Sequence, residues 1–239
     1  MAPSGPLVVH WLAFERSPVE AGARQSATVE LENAGTAAWR TRGGTEGLFL
    51  AYHWLDERGN PIVWDGERTP LVRPVEPGET LRQVMHVRGP IPPGRYRLTL
   101  DLVEEQRFWL AELGNEPHDE EVDVLPRATT GARAFLPEGA EPAPGWHAHV
   151  AALHAEGYAA VGGAVELPGG LRRRRRPPEL EPYAPGGGRH PAFRHPLVCP
   201  SLLPPLKPNG EIAGLPAYRP EDENGEPWLY DARAVVRLR

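Results

Sequence analysis

The chain has little of several features that define common protein classes. It contains one cysteine, Cys199, in 239 residues, so no disulfide can form within it and a reducing compartment is expected. No apolar run approaches the roughly 20 residues that a membrane-spanning helix needs. The N-terminal apolar stretch lacks a basic leader and is interrupted by His10, which is untypical of a signal peptide. We therefore expect a soluble, cytoplasmic protein without stable membrane insertion.

An excess of positive charge is also missing. The formal net charge is −6 and the isoelectric point is about 5.9, which gives no general attraction to nucleic acid or anionic membranes. We therefore expect no nucleic-acid partner. Proline and glycine, in contrast, are abundant at 29 and 26 residues, about twice ordinary usage. This composition disfavours long helices and favours short strands and turns.

The first half of the chain, residues 1–126, is predicted to form short strands separated by turns. In SATVELEN, residues 26–33, the apolar residues Ala27, Val29 and Leu31 alternate with polar ones, which is typical of a half-buried strand. Seven or eight such strands without a helical period favour an antiparallel β-sandwich. The other predicted strand regions are 7–13, 47–54, 61–64, 77–87, 92–103 and 108–126.

The order of sequence landmarks in this half adds a resemblance. Asn33, Gly35 and Trp39 form an N-x-G-x-x-x-W element, a hairpin follows, and PGRY at residues 93–96 precedes a late strand. Residues 5–126 thereby resemble the immunoglobulin-like domains of bacterial surface-polysaccharide proteins, including those appended to glycosyltransferases and to O-antigen ABC transporters. The resemblance implies an immunoglobulin-like sandwich and a glycan or a polysaccharide-biosynthesis protein as partner.

The predicted hairpin YHWLDERGNPIVWDGERT, residues 52–69, carries the candidate ligand site. Its aromatic residues fill a core in one interpretation. In the other they form a platform, because sugar rings present apolar C–H faces that stack on aromatic rings while charged side chains bind the hydroxyls. Trp54 and Trp64 are expected to be near neighbours across the two strands. The candidate ligand-binding residues are Tyr52, Trp54, Trp64, Asp65 and Arg68.

The second half, residues 127–239, holds most of the prolines and little periodic pattern. We expect a Pro/Gly-rich, mostly irregular extension with one short helix at about 145–156, where Trp146, Val150 and Leu153 share a face and Gly157 ends the helix. A strand is predicted at 159–167, and the last segment, from EPWLYD onward, also has strand character.

A shorter resemblance lies inside this half. The stretch AEPAPGWHAHVAALHAEGYAAVGGAVE, residues 140–166, is similar to a fragment of family-2 glycosyltransferases, in which a Pro-Gly-Trp helix precedes a Val-Gly-Gly strand. The nucleotide-binding strands and the Asp-x-Asp metal motif of that family are not found upstream, where the sandwich is predicted. The resemblance therefore implies a relic or a local coincidence.

An acidic stretch and several histidines were weighed as metal ligands. EPHDEEVD, residues 116–123, has suitable oxygen ligands but lacks the spacing of a calcium loop, so a solvated loop before a strand is expected. The histidines lack the i, i+4 zinc spacing, and surface or packing roles are expected, with a zinc site that includes Cys199 as the alternative. The histidines concerned are His147, His149, His154, His190 and His195.

The remaining motifs are also expected to be structural or solvated. Cys199 has apolar neighbours in LVCPSLL, which indicates a buried, inert thiol. The arginine run 172–176 and the glycine-rich stretch 182–190 are predicted to be exposed loops. We accordingly expect no catalytic residue, no metal and no cofactor.

The leading hypothesis for function is a non-enzymatic accessory or carbohydrate-recognition module in bacterial cell-surface polysaccharide biosynthesis. Two alternatives remain at this point. One is a glycosyltransferase-related protein with a partial nucleotide-sugar site, and the other is a protein–protein module in which a sheet edge pairs with a partner strand.

Overall fold

A computed structural model describes residues 5–41, 47–166, 197–198, 200–212, 214–219 and 225–239. As predicted, the protein is mainly β, with several antiparallel sheets and one α-helix in the described residues. The chain forms two compact units. The first comprises Met1–Val19, Arg24–Pro90 and Gly94–Leu125, and the second comprises Glu20–Ala23, Ile91–Pro93 and Pro126–Arg239.

The first unit is an antiparallel sandwich of two sheets. One sheet has the order β1-β2-β6, and the other is built on the long pair β3-β7, with β4 and β5 beside β3 and with β8 and β9 beside β7. A 3₁₀ turn, Leu110–Leu113, follows β8. The strands are β1 Val9–Arg16, β2 Arg24–Asn33, β3 Leu48–Leu55, β4 Pro61–Val63, β5 Thr69–Pro70, β6 Thr80–Arg88, β7 Gly94–Glu104, β8 Phe108–Trp109 and β9 His118–Val124.

The alternating patterns of the sequence set the inner faces of these sheets. Ala27, Val29 and Leu31 of β2 are buried, as predicted. In β7 the predicted inward row, Tyr96 to Leu102, is buried as well. The predicted hairpin at 47–64 is confirmed, because β3 pairs with β4 across a turn in which Asp56 accepts the backbone N–H of Asn60.

The N-x-G-x-x-x-W element joins the end of β2 to the next segment. The buried Asn33 side chain donates from Nδ2 to the carbonyls of Ala37 and Val75, and its Oδ1 accepts the Gly35 N–H. A Cβ at Gly35 would lie 2.3 Å from the Pro6 carbonyl oxygen, so a side chain is excluded there. Trp39 is fully buried. The element is therefore a hydrogen-bonded bend that closes one end of the sandwich.

Two predicted segments of this unit differ in the structure. The strand expected from residue 108 ends after Trp109, because the chain turns into the 3₁₀ segment, where the Glu112 carboxylate accepts the Trp109 N–H. The acidic stretch 116–123 lies mostly within β9 and is not a loop. Its carboxylates pair with arginines of other strands, namely Glu121 with Arg95 of the adjacent β7 and Glu120 with Arg16 of β1. Charge pairing across strands accounts for this polar edge strand.

The second unit contains more sheet than the short periodic patterns of its sequence indicate. A five-stranded sheet has the order β10-β14-β12-β17-β11, and a smaller sheet has the order β13-β16-β15. Strands β12 and β17 pair in parallel. The elements are β10 Arg133–Ala134, β11 Ala140–Pro142, α1 Trp146–Glu156, β12 Ala160–Glu166, β13 Leu197–Val198, β14 Ser201–Leu202, β15 Gly210–Ile212, β16 Leu215–Tyr218 and β17 Trp228–Leu238.

The predicted helix is confirmed as α1. It ends at Gly157, whose φ of 129° favours glycine. Trp146, Val150 and Leu153 form its buried face and pack in one cluster with residues of β12 and β17, including Val161 and Val236. The apolar face of α1 is thus covered by the parallel strand pair of the five-stranded sheet.

Histidines tie this helix to the sheet. The buried His154 uses Nδ1 for the Tyr158 carbonyl and lies 2.9 Å through Nε2 from the Ser201 hydroxyl in β14. Burial lowers the pKa of His154, so the ring is held neutral. His149 lies 2.9 Å from Asp231 of β17. Both side chains thus link α1 to the five-stranded sheet through polar contacts.

Several predictions from the sequence concern residues that the structure does not describe. Cys199, His190, His195, the arginine run 172–176 and the glycine-rich stretch 182–190 lie outside the residues that the structure describes. Within the described residues, no helix is long and apolar enough to cross a membrane.

Glycine is required where β12 approaches β17. A Cβ at Gly163 would lie 1.7 Å from the Ala234 carbonyl oxygen. We expect Gly163→Ala to lower the free energy of unfolding by about 1–3 kcal/mol, because backbone must move to admit the methyl group. Chemical denaturation of the full chain measures this. Gly5→Ala is the control, since a Cβ there meets no atom within 4 Å; equal midpoints for both variants would contradict the prediction.

Candidate functional site

Two of the five predicted ligand-binding residues lie in the sandwich core. Tyr52 and Trp54 of β3 are 1% and 0% exposed. The Tyr52 hydroxyl accepts the Arg88 N–H at 2.9 Å, and the Trp54 Nε1 donates to the Arg88 carbonyl at 2.8 Å. Burial raises the pKa of Tyr52 to about 12. These two rings hold the facing sheets together and do not reach a surface ligand.

The opposite face of β3 is also covered, by a second apolar layer. Phe49, Ala51 and Val103 are buried on this outer face and pack with Trp109 of β8. A strand that is buried on both faces carries apolar residues at every position, and β3 does so from Leu48 to Tyr52. These residues form an outer apolar layer on β3, which supports the surface residues that pack on it.

Three rings meet at the edge of this layer, and we call His53, Trp64 and Trp109 the aromatic platform. The His53 and Trp64 rings stack with centroids 4.2 Å apart and an interplanar angle of 23°. Trp109 lies 4.3 Å from His53 and 6.3 Å from Trp64, centroid to centroid. Trp64 is 52% exposed and His53 is buried. The indole of Trp64 thus rests one face on His53 and turns the other to solvent.

The two predicted charged residues of the hairpin lie beside the aromatic platform. The Arg68 guanidinium is 4.7 Å from the Trp109 ring centroid, a distance that allows a cation–π contact. Arg68 also donates to Asp65 at 2.9 Å and to Glu105. Trp64, Asp65 and Arg68 are therefore brought together at one surface, while Tyr52 and Trp54 are not part of it.

A close backbone approach holds this segment against β3. The Gly66 N–H donates to the Tyr52 carbonyl at 2.9 Å, and a Cβ at Gly66 would lie 2.5 Å from that oxygen. His53 Nδ1–H donates to the Trp64 carbonyl. The Asp-Gly pair thus serves as more than a turn, because only glycine lets the chain lie this close.

Burial favours the neutral form of the histidine in the aromatic platform. Burial lowers the pKa of His53, although its hydrogen bond to the Trp64 carbonyl acts in the opposite direction. A neutral imidazole that donates from Nδ1 stacks on the indole as a flat, uncharged ring. This stack and the two further ring contacts are each worth about 0.5–1.5 kcal/mol beyond the area that they bury.

A buried carboxyl group contacts the 3₁₀ turn that follows Trp109, namely that of Asp101 in β7, which is 2% exposed. Its oxygens accept the N–H groups of Leu102 at 2.7 Å and of Ala111 at 3.2 Å. Ala111 belongs to the 3₁₀ turn that follows Trp109, so Asp101 anchors the segment that carries this ring. Burial raises the pKa of Asp101 to about 6.

Sequence reasoning missed His53, Trp109 and Glu105. A signal for the first was present, because Phe49, Ala51 and His53 form the second row of β3, and an apolar second row indicates a covered outer face. Nothing in the local pattern places Trp109 beside Trp64, since the contact depends on how β8 returns along β7.

This surface offers an exposed indole face, two carboxylates and a guanidinium. Across the part of the chain that the structure describes, no group of three or more His, Cys, Asp or Glu side chains is arranged to hold a metal ion.

Comparison with known proteins gives fold likenesses at low similarity. No known family and no curated protein matches the chain. The C-terminal domain of Wzt is similar over 51% of this chain and 75% of its own length, with 8% identity and a TM-score of 0.33. The putative ApaA protein from Bordetella pertussis is similar over 51% and 98%, with 18% identity and a TM-score of 0.27. Spo0M, a sporulation control protein from Bacillus subtilis, is similar over 50% and 49%, with 14% identity and a TM-score of 0.30. Likenesses at this level assign no function.

The raised pKa of Asp101 predicts a specific pH dependence. Between the usual value of 3.8 and about 6, the folded protein holds a proton that the unfolded chain has released, so stability falls as pH rises through this window. We expect the unfolding free energy of the wild type, minus that of Asp101→Asn, to fall by about 2 kcal/mol from pH 4 to pH 6.5.

Urea denaturation at several pH values measures this difference. Only its change with pH is diagnostic, because Asn also loses one acceptor oxygen and shifts the curve by a constant. Asp123→Asn, at an exposed position of β9, is the control. A difference that does not change with pH would show that Asp101 titrates normally.

Proposed function

We propose that the protein is a non-enzymatic carbohydrate-recognition module that binds glycans on the aromatic platform. One observation carries the proposal. Trp64 is a large apolar side chain that is 52% exposed and is nevertheless fixed in orientation by its stack on His53. An exposed aromatic ring held in this way is suited to a flat apolar ligand face.

Sugar rings supply such a face. Their axial C–H groups form an apolar surface that packs on indole, while their hydroxyls lie at the perimeter and need hydrogen-bond partners. Asp65 and Glu105, which lie beside the rings through their pairing with Arg68, provide acceptor oxygens there. Because the His53 stack already orders Trp64, binding costs little further side-chain entropy.

The biological setting is proposed from the sequence resemblance of residues 5–126. We infer that the module serves bacterial cell-surface polysaccharide biosynthesis, either by binding the glycan itself or by acting beside a polysaccharide-biosynthesis protein, and that it does so in the cytoplasm. Glycan binding at the aromatic platform is the part of this proposal that the purified protein tests directly.

The central test is Trp64→Ala. Screening the full chain against bacterial glycans on an array, followed by calorimetry, identifies a ligand. We expect Trp64→Ala to weaken its binding at least about tenfold, because truncating a stacked tryptophan at a binding site usually costs about 2 kcal/mol or more. Trp64→Phe retains a ring face and should bind with an intermediate affinity.

Val72→Ala is the control for loss of exposed apolar surface, since Val72 is 71% exposed on a different loop. It should bind like the wild type. Unchanged affinity in Trp64→Ala would place the binding site elsewhere, and no binding to any glycan on the array would end the carbohydrate proposal.

A further inference from the structure

The charged side chains around the aromatic platform carry information about the class of glycan. Arg68 is a cation in contact with the aromatic platform, and three of its five N–H groups donate within the protein. Nε donates to Glu105, one terminal nitrogen donates to the Gly66 carbonyl at 2.8 Å, and the other donates to Asp65 at 2.9 Å. A ligand carboxylate or phosphate that pairs with the other two N–H groups also meets the negative charges of Asp65 and Glu105, which lie against the same guanidinium.

The two carboxylates, in contrast, retain accepting capacity. Asp65 contacts Arg68 through Oδ1 and Glu105 through Oε1. Within the described part of the chain, the second oxygen of each makes no hydrogen bond in the structure. The Asp65 side chain is 58% exposed and that of Glu105 is 26% exposed. Both can therefore accept hydrogen bonds from hydroxyls at the edge of a ring that stacks on Trp64.

The charges at this surface do not cancel. In the group formed by Arg68, Asp65 and Glu105, two carboxylates stand against one guanidinium, which leaves this group with a net charge of −1. The buried His53, whose pKa burial lowers, does not offset it. A group that approaches Trp64 therefore meets net negative charge and free acceptor oxygens, and the Arg68 guanidinium is already paired with both carboxylates. Like-charge approach at a partly buried surface is unfavourable and is screened by salt.

From this arrangement we propose that the aromatic platform selects uncharged sugar residues and rejects anionic ones, such as uronates and phosphorylated or sulfated sugars. Asp65 is the specificity-determining residue, because it is the more exposed carboxylate beside Trp64. This inference rests on the proposed function, since it names the ligand class of the same site.

The test compares sugars that differ only in charge. Hexamers of glucose, mannose and galactose are titrated into the full chain beside hexamers of the corresponding uronic acids, at low and at high salt. For at least one of the three sugar types, we expect the neutral oligomer to bind and to do so at least tenfold more tightly than its uronate partner. This difference in affinity should become smaller at high salt, because salt screens the repulsion between the uronate and the carboxylates of the protein.

Asp65→Asn makes the test specific to this residue. The variant should bind the uronate at least about threefold more tightly than the wild type does, since one like charge is removed. Glu57→Gln removes an equal charge from an exposed position in the turn between β3 and β4. It should leave the difference in affinity between the neutral oligomer and the uronate unchanged.

The outcomes separate the two proposals. Two results would overturn the selectivity while glycan binding stands. One is that a uronate binds as tightly as its neutral partner or more tightly. The other is that Asp65→Asn does not reduce the difference in affinity between the two. Binding to none of the six oligomers overturns the selectivity for uncharged hexoses. If no other glycan binds either, the proposed function fails with it.

Discussion

The first unit depends on one constraint, which is that strand β3 is buried on both of its faces. Its inner face fills the sandwich core with Leu50, Tyr52 and Trp54. Its outer face would expose Phe49 and Ala51 to water unless another layer covered it, and the segments around Trp64 and Trp109 provide that layer. The candidate site exists because this outer layer ends in an aromatic ring that is only partly covered.

Burial on two faces also restrains the side chains of the site. A lone surface tryptophan on a loop would sample several rotamers, whereas Trp64 lies on a histidine that is itself held by the sheet. The Gly66 contact fixes the backbone, and Asp101 fixes the turn after Trp109. The aromatic platform is thus supported by three contacts, which are the His53 stack, the Gly66 hydrogen bond to β3 and the Asp101 hydrogen bond from β7.

Much of this unit is predictable from local patterns, and the limits of prediction have a physical cause. Period-two alternation identified the strands and the hairpin, and the hairpin in turn grouped Trp64 with Asp65 and Arg68. Alternation cannot tell which row of a strand faces the core when both rows are apolar, so the sequence leaves open whether Tyr52 and Trp54 lie in the core or at a surface platform. In the second unit the helix followed from its apolar face, but strands of two to four residues carry too few side chains to show a period.

The parallel pairing of β12 with β17 has a consequence for synthesis. Strand β17 lies between β11 and β12 in the five-stranded sheet, although both of those strands leave the ribosome long before it. Until residues 228–238 emerge, the nascent chain holds two strand edges whose shared neighbour has not been made. Unpaired edges of this kind can capture other chains. The second unit is therefore most open to misassociation while it is being translated.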